Sequence, residues 1–474
     1  MKNYLVILVL SLCIYLVSCN RQIQPISLHE ENSHYFMFRG KSTILITSGE
    51  HYGAVLNLDF NYTDYLDELQ SNGLNCTRLF AGPYVEFPGW FNYTSDQPLS
   101  PAHGRFICPW ARSSEPGYIN GGNKFDLTKW DIEYFKRLKD FLTQASGRGI
   151  VVELTLFCPY YDIHKGDHDL LWKYSPFYHE NNINDIGKIH RIKALTLDNG
   201  NLLEIQEAYV RKVITELKDY DNIIYEICNE PYVQNLVPDD WMAHISLVIT
   251  DTESAFRFKH LQSHNVANGV TVINNPLLNA SVFNFHYSNP KSITLNYGMN
   301  KVIGNNETDG FEPPEMSRIN AWDFIIGGGG LFNNLDMSFT TSDPGGINSS
   351  GGQAMLRFQL GINKTFIERF NYVRMKPDTL VINDMFMQGI SAIALSETGV
   401  AYAIYLHKSN LKDLNPVSGE LGINLPLGNY KALWVNPVTG KSEMEITFNH
   451  SGGEKKLNSP SFGLDIALDI RRIN

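Results

Sequence analysis

The chain has 474 residues, well beyond the ~250 at which a single hydrophobic core stops growing, so a large domain with a smaller companion is expected rather than one compact unit. Hydrophobic residues at 43% and charged residues at 19% are ordinary globular usage, which excludes disorder, collagen and an extended coiled coil. Lys and Arg number 39 against 50 Asp and Glu, a formal net charge of −11 with no basic stripe, so a phosphate backbone finds no electrostatic footprint and nucleic acid is not an expected partner.

Met1 and Lys2 precede an apolar run over 4–17 that is too short to span a bilayer comfortably and sits where a secretory leader belongs. It ends Leu16-Val17-Ser18-Cys19, which resembles the bacterial lipobox, where the cysteine receives a lipid and becomes the new N-terminus. This implies an exported outer-membrane lipoprotein, periplasmic or cell-surface, with residues 1–19 as signal peptide and Cys19 as membrane anchor. Residues 20–38 are polar, lack periodicity and read as a tether. In the body, Cys76 and Cys228 lie in strand-like runs and read as small buried hydrophobes, whereas Cys108 and Cys158 each precede proline in loops, where a disulfide is allowed and not required. No CxxC spacing occurs among these four, so no zinc ribbon is expected.

From Arg39 onward, short Val- and Ile-rich runs alternate with longer amphipathic stretches, the pattern of repeated βα units and a parallel sheet. Strands are predicted at 43–47, 76–80, 150–157, 222–228, 260–264, 282–286, 301–304 and 331–335. Between them, Trp130, Tyr134, Leu138 and Phe141 recur every three or four residues in a helix running to Ala145, and another helix covers 202–217. Eight strands, each followed by a helical segment, fit a (β/α)₈ TIM barrel over 39–377, with a doubly wound open sheet as the alternative. Beyond Pro377 short alternating runs at 400–405, 430–435, 444–448 and 464–470, separated by turn sequences, predict a small C-terminal β-sandwich over 385–474 with Trp434 in its core.

In such a barrel the reactive groups stand at the C-terminal ends of strands. The fourth predicted strand ends Glu226-Ile227-Cys228-Asn229-Glu230-Pro231, and the seventh runs through Asn305-Asn306-Glu307. Glutamates at these two mouths face each other, and retaining glycoside hydrolysis needs two carboxyl groups ~5–5.5 Å apart. Glu226 shares the face parity of Glu230 but sits deeper, and Asp309 is the nearest substitute for Glu307.

The Asn229-Glu230-Pro231 triplet ending one strand, with a glutamate ending a later one, resembles the clan-A retaining glycoside hydrolases, the cellulase-like (β/α)₈ superfamily. Arg78 on strand 2 and the His286-Tyr287 pair at the end of strand 6 match the same pattern. The resemblance implies a glycosidase cleaving O-glycosidic bonds of poly- or oligosaccharides by double displacement, without metal or cofactor. It implies Glu230 as acid/base, Glu307 as nucleophile, Asn229 as donor to the sugar 2-hydroxyl, and Arg78 and Tyr287 as the groups that hold Glu307. A cationic Arg78 should keep the nucleophile ionised, and a neighbouring carboxylate should raise the pKa of the acid. The alternative from another class is a non-catalytic surface glycan-binding lipoprotein on the same barrel.

His286, and His51 at the first strand's mouth, are read as contacts to sugar hydroxyls or as core histidines. The long connections 81–124 and 159–200 should wall the cleft, with Trp90, Trp110 and Trp172, besides Tyr160 and Tyr161, stacking on sugar faces; Trp130 and Trp322 read as core. His164 and His168 have metal-ligand spacing in a loop, but a bound ion is not expected there. The tract Gly327 to Gly330 lacks the Lys-Ser/Thr of a phosphate loop and reads as a place where backbone passes close to packed neighbours.

Overall fold

The computed structural model describes residues 24–90, 96–162, 166–348, 352–385 and 389–473. Cys19, and with it the lipidation motif, lies outside the described residues, as does His164. Eight strands, β1 (Leu45–Gly49), β2 (Cys76–Phe80), β3 (Val151–Phe157), β4 (Ile223–Cys228), β5 (Leu261–Asn268), β6 (Ala280–His286), β7 (Val302–Glu307) and β8 (Leu331–Leu335), form one sheet in the order β1-β8-β7-β6-β5-β4-β3-β2. All its pairings are parallel, as a TIM barrel requires. Asn75 bridges the β1–β2 seam: its backbone N–H donates to Ile46 O (3.3 Å), its Oδ1 accepts from Ile46 N (3.0 Å) and its Nδ2 donates to Ile44 O (2.9 Å).

Both faces of the strands are covered, which is why they read as short runs rich in apolar residues; β3, Val-Val-Glu-Leu-Thr-Leu-Phe, is buried throughout. The barrel interior is graded along its axis. At the bottom, Leu45, Cys76, Val151, Ile224, Val282, Val302 and Leu331, each among the first three residues of its strand, form an apolar plug. Two residues further along the strands, the inward positions become Arg78, Glu153, Glu226 and Asn284, all buried.

The helices α1 (Tyr62–Ser71), α2 (Ile132–Gly147), α3 (Leu202–Leu217), α4 (Asp239–Ser254), α5 (Pro290–Asn296), α6 (Pro314–Ile326) and α7 (Gln353–Ile367) surround the sheet. Helix α2 starts where Asp131 accepts from the N–H groups of Glu133 and Tyr134, and it buries Tyr134, Leu138, Phe141 and Ala145 as one stripe. One expected helix is missing: 269–279, between β5 and β6, contains none. That connection is short, carries the β-branched run Val270-Thr271-Val272-Ile273 and ends in Asn275-Pro276, all of which disfavour a helix.

The tether expectation also fails in its described part. Ser27–Leu28, Phe36–Phe38 and Lys41–Thr43 make a three-stranded antiparallel sheet, and Ile26, Phe36 and Phe38 bury against the plug, because the barrel bottom offers apolar surface that must be covered. The tail is a sandwich of a six-stranded and a three-stranded sheet around Tyr402, Ile404, Trp434 and Leu468. It begins earlier than residue 385, since Lys376–Pro377 and Ile382–Met385 are already in its sheets. It docks on α6, where Trp322 stacks on Tyr405 (ring centroids 5.2 Å apart) and Arg318 pairs with buried Asp465 at 2.9 Å.

The glycine tract behaves as read: a Cβ on Gly329 would lie 2.3 Å from the Phe324 ring, and one on Gly330 2.5 Å from His34 O. Cys76, Cys108, Cys158 and Cys228 are all buried and free, so no disulfide joins Cys108 to Cys158. Among the described residues no helix is long and apolar enough to cross a membrane.

Candidate active site

Glu307 ends β7, and its position depends on a local irregularity. Along the β6–β7 ladder Phe285 pairs with Asn305 but His286 pairs with Glu307, so Asn306 is the extra residue of a β-bulge. A bulge re-aims side chains. Here Asn306 points into the barrel, where its Nδ2 donates to Glu153 Oε2 (2.9 Å) and Glu226 Oε1 (2.8 Å), and Glu307 still reaches the mouth.

Three donors hold the Glu307 carboxylate. Arg78 Nη1 (3.0 Å) and Tyr52 OH (2.9 Å) donate to Oε2, and Tyr287 OH donates to Oε1 (3.0 Å). Arg78 is itself fixed by Glu226, whose Oε2 accepts from Nε (3.0 Å) and Nη2 (2.5 Å), and by Asn229 Oδ1 (2.6 Å). One buried guanidinium therefore serves two carboxylates, and the pairing keeps it charged despite burial.

Glu230 follows β4. Its backbone N–H donates to Asn265 Oδ1 (3.1 Å), and His286 Nδ1 lies 3.1 Å from Glu230 Oε1 and 3.4 Å from Glu307 Oε1. Asn229 Nδ2 donates to Tyr161 OH (2.8 Å). Tyr52, Glu230 and Tyr287 all have positive φ, at 54°, 39° and 52°. Such backbone costs ~1–3 kcal/mol at a non-glycine residue and clusters at functional sites; here it turns three side chains into one mouth.

The charges depart from the expectation for the acid. Burial pushes Glu230 up, but the hydrogen bond and charge of His286, with help from Tyr161 and Arg78, outweigh it and hold the carboxyl below its ordinary value. His286 is also buried, which opposes its charge, yet the carboxylates of Glu307 and Glu230 raise its pKa. The expected rise at Glu230 is thus reversed, because an imidazole stands between the two carboxylates. Nε2 of His286 is buried without a partner among the described groups.

His51 pairs with Glu86 (Nε2 to Oε2, 2.9 Å) and is buried; burial opposes its charge, and Glu86, with Glu307 and Glu50, raises its pKa. The loop tryptophans are placed elsewhere than expected. Trp110 is 0% and Trp172 1% exposed. Trp110 packs on Phe177 and Tyr209, and Trp172 packs on Tyr160 and donates to Ile189 O (3.3 Å). Trp90 is 3% exposed and packs edge-on against Phe87. The two long connections carry enough apolar surface to fold on each other, including the hairpin Trp110–Pro116 with Asn123–Trp130, so their tryptophans serve that core and offer no face to a ligand. His168 pairs with Asp162 (2.5 Å) at an exposed site.

Glu230, His286 and Glu307 place one ligand atom each within 4.8 Å of one another, which could hold a metal ion. Both carboxylates are also engaged by protein groups, Glu307 by Arg78, Tyr52 and Tyr287 and Glu230 by His286. Sequence reasoning missed Tyr52, Glu86, Glu153, Asn265 and Asn306. Of these only Tyr52, directly after His51 at a strand mouth, carried a local signal.

No protein-family model matches this sequence, and no curated protein matches it. Solved structures share its fold. A candidate glycoside hydrolase from Bacteroides vulgatus superposes with a TM-score of 0.68 at 13% identity, covering 96% of this chain and 83% of that one. A second structure, described as a glycoside hydrolase, gives 0.62 at 13% identity over 95% and 97% of the two chains. A glycoside hydrolase family 5 protein from Bacteroides vulgatus gives 0.60 at 13% over 94% and 93%. At this identity the likeness establishes the barrel with its added antiparallel sheets; the chemistry rests on the residues.

Proposed function

We propose that this protein is a retaining glycoside hydrolase of the clan-A type acting on poly- or oligosaccharides. The observation that carries the reading is the pair Glu230 and Glu307, on opposed strands at the C-terminal mouth, with carboxylate oxygens within 4.8 Å of each other, close to the ~5–5.5 Å of retaining enzymes. Glu307, held by Arg78, attacks the anomeric carbon; the glycosidic C–O bond breaks, and the leaving oxygen takes a proton from Glu230. Water, giving its proton back to Glu230, then releases the sugar from Glu307 with retained configuration. Because His286 holds Glu230 below its ordinary pKa, the acid's proton is supplied along the 3.1 Å contact from His286 Nδ1 to Glu230 Oε1 when substrate displaces water from the mouth. Asn229, fixed by Arg78 and Tyr161, is within the same cluster to meet the sugar 2-hydroxyl. The lipobox supports export and anchoring through Cys19.

The two glutamates should fail differently. Glu307→Gly should lose turnover on every substrate. Glu230→Ala should still be glycosylated by an aryl glycoside with a good leaving group, and azide should then speed turnover with retained configuration. Near-normal turnover in Glu307→Gly with a dead Asp309→Ala would move the nucleophile by two residues and refute the assignment.

A further inference from the structure

Glu153 is a buried carboxyl that the reaction does not use. It lies on β3 inside the barrel, in a layer that barrels ordinarily fill with branched aliphatic side chains. Arg78 pairs with Glu226 and Glu307 and not with Glu153. Burial and the charge of Glu226 push the Glu153 pKa up, against the pull of Arg78, Asn306 and Ser263. A buried carboxyl without an ion pair costs stability, so packing alone gives no reason for its presence.

Its hydrogen bonds give one. Glu153 ties β3 to three strands across the barrel: Oε1 accepts from Ser263 Oγ on β5 (2.7 Å) and Asn284 Nδ2 on β6 (2.5 Å), and Oε2 accepts from Asn306 Nδ2 on β7 (2.9 Å). Asn306 is the bulge residue directly before Glu307. Its Nδ2 also donates to Glu226 Oε1 (2.8 Å), and its Oδ1 accepts from Asn265 Nδ2 (3.3 Å). Asn265 Oδ1 in turn accepts the backbone N–H of Glu230 (3.1 Å). Donors and acceptors therefore run in one order from Glu153 to both glutamates of the mouth. One arm reaches Glu307 through the backbone of the bulge, and the other reaches the positive-φ turn at Glu230 through Asn265. In a buried network of this kind the bonds stand or fall together.

We propose that Glu153 is a positioning residue that, through Asn306, sets the separation of the Glu230 and Glu307 carboxylates on which double displacement depends. The proposal rests on the glycosidase reading for the reaction and on the order of hydrogen bonds alone for the positioning.

Glu153→Gln tests it at nearly constant volume. The new amide oxygen serves Ser263 and Asn284, which leaves its NH2 facing Asn306 Nδ2, donor against donor. Asn306 must turn, and its bonds to Glu226 and Asn265 are lost with it. Crystal structures of the wild type and the variant should show the Arg78 Nη1 to Glu307 Oε2 contact lengthened from 3.0 Å and the separation of the Glu230 and Glu307 carboxylates changed. In kinetics, kcat on an aryl glycoside should fall about a hundredfold, the scale of a small misplacement at the reacting atoms, with KM near the wild-type value because the loss falls on the transition state. Ser263→Ala, which removes one donor to Glu153, should shift the same contact less and lower kcat several-fold, again at constant KM; it decides the matter if Glu153→Gln does not fold. Carboxylates that stay in place in the variant structure, wild-type kcat, or a loss confined to KM overturns the proposal. If the wild type hydrolyses no glycoside, the glycosidase reading falls, and the crystal structures alone decide whether Glu153 positions the pair.

Discussion

Glu50 offers a direct test of how the site is built, because it is wholly buried at the end of β1 and its charge has no cationic partner beyond His51. Its Oε2 accepts from Gly53 N (3.0 Å) and its Oε1 from Ala54 N (3.3 Å), so it shapes the turn that presents His51 and Tyr52. Burial raises its pKa from the ordinary 4.5 to about 8, against the pull of those N–H groups and His51. The folded state therefore keeps a proton that the unfolded chain releases from pH 4.5 upward. Stability is fully present below 4.5 and is lost as pH climbs to 8, at about 1.4 kcal/mol per pH unit and about 5 kcal/mol in all. Glu50→Gln has no proton to release. Its amide faces two backbone N–H groups, an offset that does not depend on pH. Guanidinium unfolding of both proteins between pH 5 and 9 should show the stability of the wild type falling relative to the variant by several kcal/mol. Parallel curves would mean that Glu50 is ionised throughout, and the account of the β1 turn would fail.

Trp110→Ala and Trp172→Ala should each destabilise by ~3–5 kcal/mol, as deletions of buried aromatics do; a variant that stays stable but loses polysaccharide affinity would return these side chains to the cleft. Hydrolysis should survive exhaustive EDTA treatment, since an ion on Glu230, His286 and Glu307 would occupy the carboxylates that the reaction uses; loss restored by one divalent cation would make that cluster a metal centre. Cys19→Ala should release active protein into the soluble fraction, because the lipid supplies the membrane affinity; continued membrane association would require another anchor.

The strands were legible because burial on both faces leaves most of them as short runs rich in apolar residues, a property of each segment alone. So were Glu230 before its proline and the arginine of β2, since strand ends and their polar residues are marked locally. The bulge at Asn306 was not legible: whether an extra residue is accommodated in β7 depends on its register with β6, and the same Asn305-Asn306 pair could equally have ended the strand. Nor could periodicity show that Trp110 would meet Tyr209 on α3, or that 24–38 would fold back to cover the barrel bottom, because each contact joins segments distant in sequence. The upward shift of His286 is the clearest case. Barrel closure brings His286 within 3.1 Å of Glu230 and 3.4 Å of Glu307, and at that distance the two carboxylates raise the imidazole's pKa while the imidazole lowers that of Glu230. Sequence alone determined which groups stand at the mouth; tertiary structure decided which of them meet, and so the direction in which His286 and Glu230 shift.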